Sequence, residues 1–413
     1  MRALGIVALA SISSACSTSP DLEGTLVYRT RDQIRVLDLA TSRDELIDTG
    51  NFGSLSIAPD ARHVAYAATD RILRIADRTR SIRRLPGGGC ATTADWVSSS
   101  VLTYCVDNGT RVLPSLDGEL PRLVTGYGAS VSNDGTTIAF VNGRGDVVIE
   151  TVDGRDQRVL LPAEGPRVQF SIAGFTPDQR AILVWDFDSS PGVRIVSVAD
   201  GSSVVIDEVR FMGTPFGTPR FLGASVYSAD QTELLLQSWE GIVAVTLATG
   251  AKRVVATFGD RVSAGAAGFL DEGRVIWVRV EDHSVSDIGS FALSLHVAGP
   301  TPDDDVALVT SDRRNVRWSS IAVSPAGFVA LPSEVSFVRL DGTVLERNDS
   351  STGQSPLDEI LALTSDGNGV IAASSEHEVR YLEPDGTSEL LVEADTGSDL
   401  LPPFAAYTRE TAR

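Results

Sequence analysis

The chain has 413 residues, 42% hydrophobic and 22% charged, which is enough apolar material to bury a core and excludes disorder by composition. Its formal charge of −20 would repel a nucleic-acid backbone, so nucleic-acid binding is disfavoured. No stretch approaches the eighteen consecutive apolar residues of a membrane-spanning helix.

Residues 1–15 read as a signal peptide. Arg2 precedes an apolar run from Ala3 to Ala10, extended by Ile12, and the small residues Ser13, Ser14 and Ala15 lead to the cut. The junction Ser14-Ala15-Cys16 resembles a bacterial lipobox, which implies that Cys16 becomes the first mature residue and carries lipid. Ordinary cleavage after Ala15 would sever the same bond. On the lipidated reading, residues 16–23 form a polar tether and the lipid is the only hold on a membrane. The expected location is therefore exported and membrane-anchored, facing the periplasm or the cell exterior.

Residues 24–407 alternate short apolar runs with Gly, Asp, Ser and Thr turns, and no helical period lasts beyond a turn or two, which predicts an all-β domain. Residues 25–28 and 34–39 read as the later strands of a unit whose first strand is missing. Turn anchors then recur. Asp60 leads to Val64 and Tyr66, and Asp134 leads to Ile138 and Phe140. Asp178, Asp230, Asp271 and Asp366 each precede a similar pair, while Ala326 and the degenerate Ser99 lack the aspartate. Their mean spacing is about 44 residues, a propeller-blade period. A second turn, as in Asp153-Gly154, Asp200-Gly201 or Asp385-Gly386, trails its anchor at a nearly constant offset.

Around Ser99, residues 92–96 and 101–104 read as a hairpin. Pairing Asp95 with Ser100 would set Cys90 opposite Cys105, within reach of a disulfide; two free buried thiols are the alternative.

These units resemble the WD40-like repeats of TolB-type propellers, whose turn runs Ser-Pro-Asp-Gly before a strand like Ile-Ala-Phe. Ser132-Asn133-Asp134-Gly135 before Ile138-Ala139-Phe140, and Ser324-Pro325-Ala326-Gly327, are near matches. The resemblance covers nearly all of the chain after residue 16. It implies a β-propeller of four-stranded antiparallel blades and, as for TolB, a protein partner in the cell envelope. Eight blades are favoured, with seven or nine as alternatives, because eight anchors plus the opening unit would exceed the usual range. Residues 403–407 would supply the missing first strand and close the ring, leaving 408–413 as a tail.

No Gly-x-Ser-x-Gly, His-Glu-x-x-His or Cys-x-x-Cys occurs, and His63, His283, His296 and His377 stand in no metal spacing, so no catalytic residue, metal or cofactor is expected. Two steps exceed the period. The first, between Asp178 and Asp230, carries Phe211, Met212, Phe216 and Gly217, read as packing between blades or as a partner-facing apolar loop. The second, between Asp271 and Ala326, carries Asp303, Asp304 and Asp305, read as a solvated loop, with calcium or a cationic ligand as the alternative. The functional expectation is non-catalytic recognition of an envelope protein, peptide or glycan. A propeller enzyme with site residues dispersed over its blades, or a structural subunit of an envelope complex, are the other readings.

Overall fold

The computed structural model describes residues 22–408 except 31–32, 51, 69, 71, 87–93, 107–108, 117–120, 164, 166–169, 188–191, 211–219, 272, 283–290, 312–319, 333–334, 348–356, 365, 375–377 and 394–404. Nine sheets form in chain order, each built on four antiparallel strands, with a fifth, parallel strand added to blade 8; blades 2 to 9 span residues 52–85, 94–124, 127–161, 170–207, 209–257, 262–310, 320–347 and 357–393. Blade 1 is the composite one: the C-terminal strand Ala405–Thr408 is its inner strand, followed outward by Thr25–Arg29, Gln33–Asp38 and Arg43–Thr49. Val27 pairs with Ala406 and Leu26 with Tyr407, so the two ends of the chain close the ring as the missing first strand implied.

Each blade is covered on both faces, and its strands accordingly read as near-continuous apolar runs. In Gly241–Thr246 the first five residues are all buried. Successive residues of one strand serve opposite seams. In blade 7, Ile276, Val278 and Val280 pack with Ile321 and Val323 of blade 8, whereas Trp277 packs with Leu235 and Ile242 of blade 6. Blade 1 works the same way: Leu26 and Tyr28 join Ile371 and Val379 of blade 9, and Val27 and Val36 join Phe52 and Tyr66 of blade 2. Arginines of outer strands stitch seams at the rim by donating to carbonyls of the next blade, Arg83 to Leu116 (3.1 Å), Arg122 to Val152 (3.4 Å) and Arg158 to Ala199 (2.6 Å).

The favoured count of eight blades is corrected to nine, because every weak anchor closes a true hairpin by a substitute device. At Ser99 the Ser98 hydroxyl accepts the Val101 N–H (3.1 Å); at Asp271 the Arg274 guanidinium donates to the carboxylate (2.8 Å); beside Ala326 the Ser324 hydroxyl accepts the Ala326 N–H (2.9 Å). The hairpin between Ala94–Trp96 and Leu102–Val106 also departs from expectation. Asp95 pairs with Thr103, not Ser100, since the turn closes with Val97 N–H donating to Val101 C=O. The Asp95–Ser100 pairing on which the Cys90–Cys105 bridge was read is therefore not the register formed. Among the described residues there is no disulfide, and Cys90 lies outside them.

The repeat's aspartate turns, at Asp60, Asp134, Asp153, Asp178, Asp200 and Asp230 among others, join the first strand to the second or the third to the fourth, so they share one face of the ring, while Asp70 turns on the other. Their chemistry repeats. The Ser132 hydroxyl donates to Asp134 (2.6 Å) while accepting the Thr137 N–H (2.9 Å), and Asp134 accepts the Thr136 N–H (3.0 Å). Ser228, Asp230, Thr232 and Glu233 repeat the set. Gly135 sits at φ 72°, and where blades 5 and 6 lack that glycine, Gln179 and Gln231 take the same left-handed conformation at φ 61° and 60°. Hydroxyl donation from Ser132, Thr151 and Ser228 holds Asp134, Asp153 and Asp230 below the usual carboxylate range, and Ser197 then Ser202 bring Asp200 to about 2.

Carboxyl groups with folded values below their unfolded ones contribute stability above about pH 4 that is lost as pH falls through the folded values. The melting temperature is therefore expected to fall steeply between about pH 4 and about pH 2. Asp134→Asn with Asp230→Asn should flatten that fall, as thermal melts across the window would show.

Candidate functional site

Among the described residues the inner strand of blade 6 is short: Val209–Arg210 pairs with only the end of Glu233–Ser238. When the chain is next described, at Arg220–Leu222, it runs parallel to Ser320–Val323, the inner strand of blade 8, as a fifth strand on the axis side. From there it returns past blade 7, where Ser225 bridges Phe269, to blade 6, where Tyr227 bridges Leu234. Phe221 and Ala224 pack into the seam between blades 7 and 8, and Leu222 into that between blades 8 and 9. Gly223 allows the approach: at φ 85°, a Cβ there would lie 2.1 Å from the Val323 carbonyl oxygen. Burial pushes the Tyr227 phenol up to about 12. The described half of this insertion is thus channel-side packing. Phe211, Met212, Phe216 and Gly217 lie outside the described residues, in a segment whose two ends are fixed on the inner edges of blades 6 and 8.

The acidic run divides. Asp303 and Asp304 are exposed in the short 3-10 helix Pro302–Asp304, where Asp304 accepts from the Thr301 hydroxyl (2.6 Å). Asp305 turns inward. Its carboxylate accepts from Trp277 Nε1 (2.9 Å) and lies 3.1 Å from His296 Nδ1, while His296 Nε2 lies 2.9 Å from the Ser294 hydroxyl. Trp277 and His296 are directly paired across Arg274–Asp282 and Phe291–Ala298, their rings 4.8 Å apart. His296 is 6% exposed and Ser294 only partly buried. This chain escaped sequence reading because Asp305 stands outside any motif with His296; the one local signal is the polar pair Ser294 and His296, two apart on a strand of apolar residues.

The face opposite the aspartate turns of the repeat carries exposed aromatics. Trp239, at the tip between Glu233–Ser238 and Gly241–Thr246, is 74% exposed, and Phe187, at the end of Ala181–Asp186 in blade 5, is 57% exposed and stacked on Trp185 at 5.6 Å. Of the remaining histidines, His63 lies 3.8 Å from Asp60 beside Trp96, and His283 and His377 lie outside the described residues. Among the described residues, no group of three or more His, Cys, Asp or Glu is placed to hold a metal ion.

The protein is a β-propeller. Among solved structures it is similar to one described as the eukaryotic initiation factor, at 12% identity and TM-score 0.59, over 95% of this chain and 99% of that one. TolB from Acinetobacter baumannii is also similar, at 15% identity and TM-score 0.30 over 73% of this chain and 67% of that one, as is a putative TolB from Agrobacterium tumefaciens, at 11% and 0.32 over 72% and 92%. These identities speak to fold alone. No protein-family model and no curated protein matches the sequence.

The inward turn of Asp305 changes what substitution should do along the acidic run. Asp305→Ala leaves Trp277 Nε1 and His296 Nδ1 without their acceptor and is expected to cost about 1–3 kcal/mol. Asp303→Ala should stay within about 0.5 kcal/mol. Denaturant unfolding of the two variants checks the contrast.

Proposed function

We propose that this protein is an exported recognition module of the cell envelope, tethered by lipid on Cys16, whose rigid ring presents a protein-binding face. The observation that carries the reading is the pair of exposed aromatics, Trp239 and Phe187, on turns of neighbouring blades. Tryptophan and other large aromatics bury much apolar area at small entropic cost, which is why they anchor protein interfaces, and both side chains here are more exposed than packed. The preference for a protein over a glycan rests on the TolB-like repeat signature. The segment carrying Phe211, Met212, Phe216 and Gly217 is the second contributor, because its anchored ends spare part of the ordering entropy that a free loop loses on binding.

Two experiments test the halves of the proposal separately. Wild-type protein should partition with membranes, and Cys16→Ser should move it to the soluble exported fraction; unchanged partitioning removes the lipid anchor. A stoichiometric protein should co-purify from detergent-solubilised membranes and be lost with Trp239→Ala/Phe187→Ala, at a melting temperature within a degree or two of wild type. Undiminished co-purification would place the interface elsewhere, and loss of fold in the double variant would make the aromatics packing residues.

A further inference from the structure

We infer that Ser294 is an activated nucleophile, served by His296 and Asp305, and that blade 7 carries a hydrolytic site for short-chain carboxylic esters. This goes beyond the recognition reading and does not depend on it.

The geometry has the three parts such a site needs: nucleophile to base at 2.9 Å, base to orienting carboxylate at 3.1 Å, and a further donor fixing that carboxylate, Trp277 Nε1 at 2.9 Å. An ionised Asp305 only accepts, so His296 carries its proton on Nδ1 and presents Nε2 as an acceptor for the Ser294 hydroxyl. His296 is held in this tautomer within the seam, covered by Trp277, while Ser294 lies further along the strand and partly open.

The opening comes from a mismatch of blade lengths. The second and third strands of blade 7 have nine and eight residues where those of blade 6 have six each. Phe258, just past the last strand of blade 6, covers Trp277 at 5.8 Å. Ser294 and its cross-strand partner Arg279 come next toward the Asp282 end of the strand, and Glu281 beyond them has a side chain 45% exposed. Arg279 adds a second, independent observation. Its Nε is buried and without a partner among the described residues, and its ion pair with Glu281 is long, at 3.5 Å. A guanidinium directly across the strand from the nucleophile is placed to stabilise negative charge developing on an ester carbonyl oxygen, in place of a backbone oxyanion hole. The partial cover of Ser294 favours a small acyl group.

The chemistry balances with water as the only co-reactant. Ser294 Oγ attacks the ester carbonyl carbon as its proton passes to His296 Nε2; the tetrahedral oxyanion faces Arg279. The C–O bond to the alcohol breaks, and the departing oxygen takes the proton from Nε2. Water then attacks the acyl-serine, again giving its proton to Nε2, and the carboxylic acid leaves as Ser294 recovers its hydrogen.

The test is covalent labelling of the purified wild-type protein with a fluorophosphonate, in which a Ser294 Oγ–P bond forms and fluoride departs, read by intact mass and peptide mapping, together with p-nitrophenyl acetate turnover. One adduct at Ser294 is expected, with adduct and turnover absent from Ser294→Ala. Asp305→Asn should slow both by about 10²-fold or more, lowering kcat with KM little changed, which a packing role would not produce. A wild-type protein left unlabelled at Ser294, or turnover that survives Ser294→Ala, overturns the proposal. Because the first readout uses the unaltered protein, poor folding of a variant does not shield it.

Discussion

The antiparallel pairing of Ala405–Thr408 with Thr25–Arg29 is the contact on which the rest of the molecule depends. Both faces of blade 1 serve as seams, one against blade 9 and one against blade 2, so this single short ladder joins two apolar clusters that would otherwise end at open faces. It also removes the free edge that an unclosed array of blades would present to other chains. Because its partners stand at opposite ends of the sequence, the closing step is the most non-local in the fold, and local hairpins have every reason to form before it.

Given a closed ring, the departures from the repeat among the described residues meet at blades 6, 7 and 8. The described inner strand of blade 6 is two residues long, Arg220–Leu222 runs along the inner edge of blade 8, and the chain returns over blade 7. Blade 7 is overlong beside its shortened neighbour, which leaves part of one face beyond the cover of Phe258. The polar residues Arg279, Glu281 and Ser294 occupy that uncovered part, whereas the equivalent face of the covered part is Trp277 and Ala298. Apart from the buried His296, polarity follows exposure along that blade face.

The regular part of the fold was legible because its signals are local. Each aspartate turn satisfies its own backbone within five residues, as Ser132, Asp134 and Thr137 show, so spacing alone marked the hairpins. The blade count was less legible. Ser98, the Asp271–Arg274 pair and Ser324 close turns as well as the aspartate signature does, but with different atoms, and a motif-based count undervalues them. The Asp95–Ser100 register failed for a similar reason: a hairpin's register is set by which residues close its turn, and Val97 with Val101 could not be told from Asp95 with Ser100 by pattern.

By itself, then, the sequence determined the all-β class and the blade period, since these follow from turn chemistry and apolar runs read within a few dozen residues; the four-stranded blade came with the TolB-like resemblance, and ring closure was legible only as an opening unit lacking its first strand. Only the tertiary structure decided the ninth blade, the parallel strand Arg220–Leu222 on Ser320–Val323, and the meeting of Ser294, His296 and Asp305 beside Trp277. The parallel strand pairs residues a hundred positions apart, and the polar cluster is set by how far one blade extends past another. Neither quantity leaves a trace in local residue order, because both are fixed by packing between elements after each has formed.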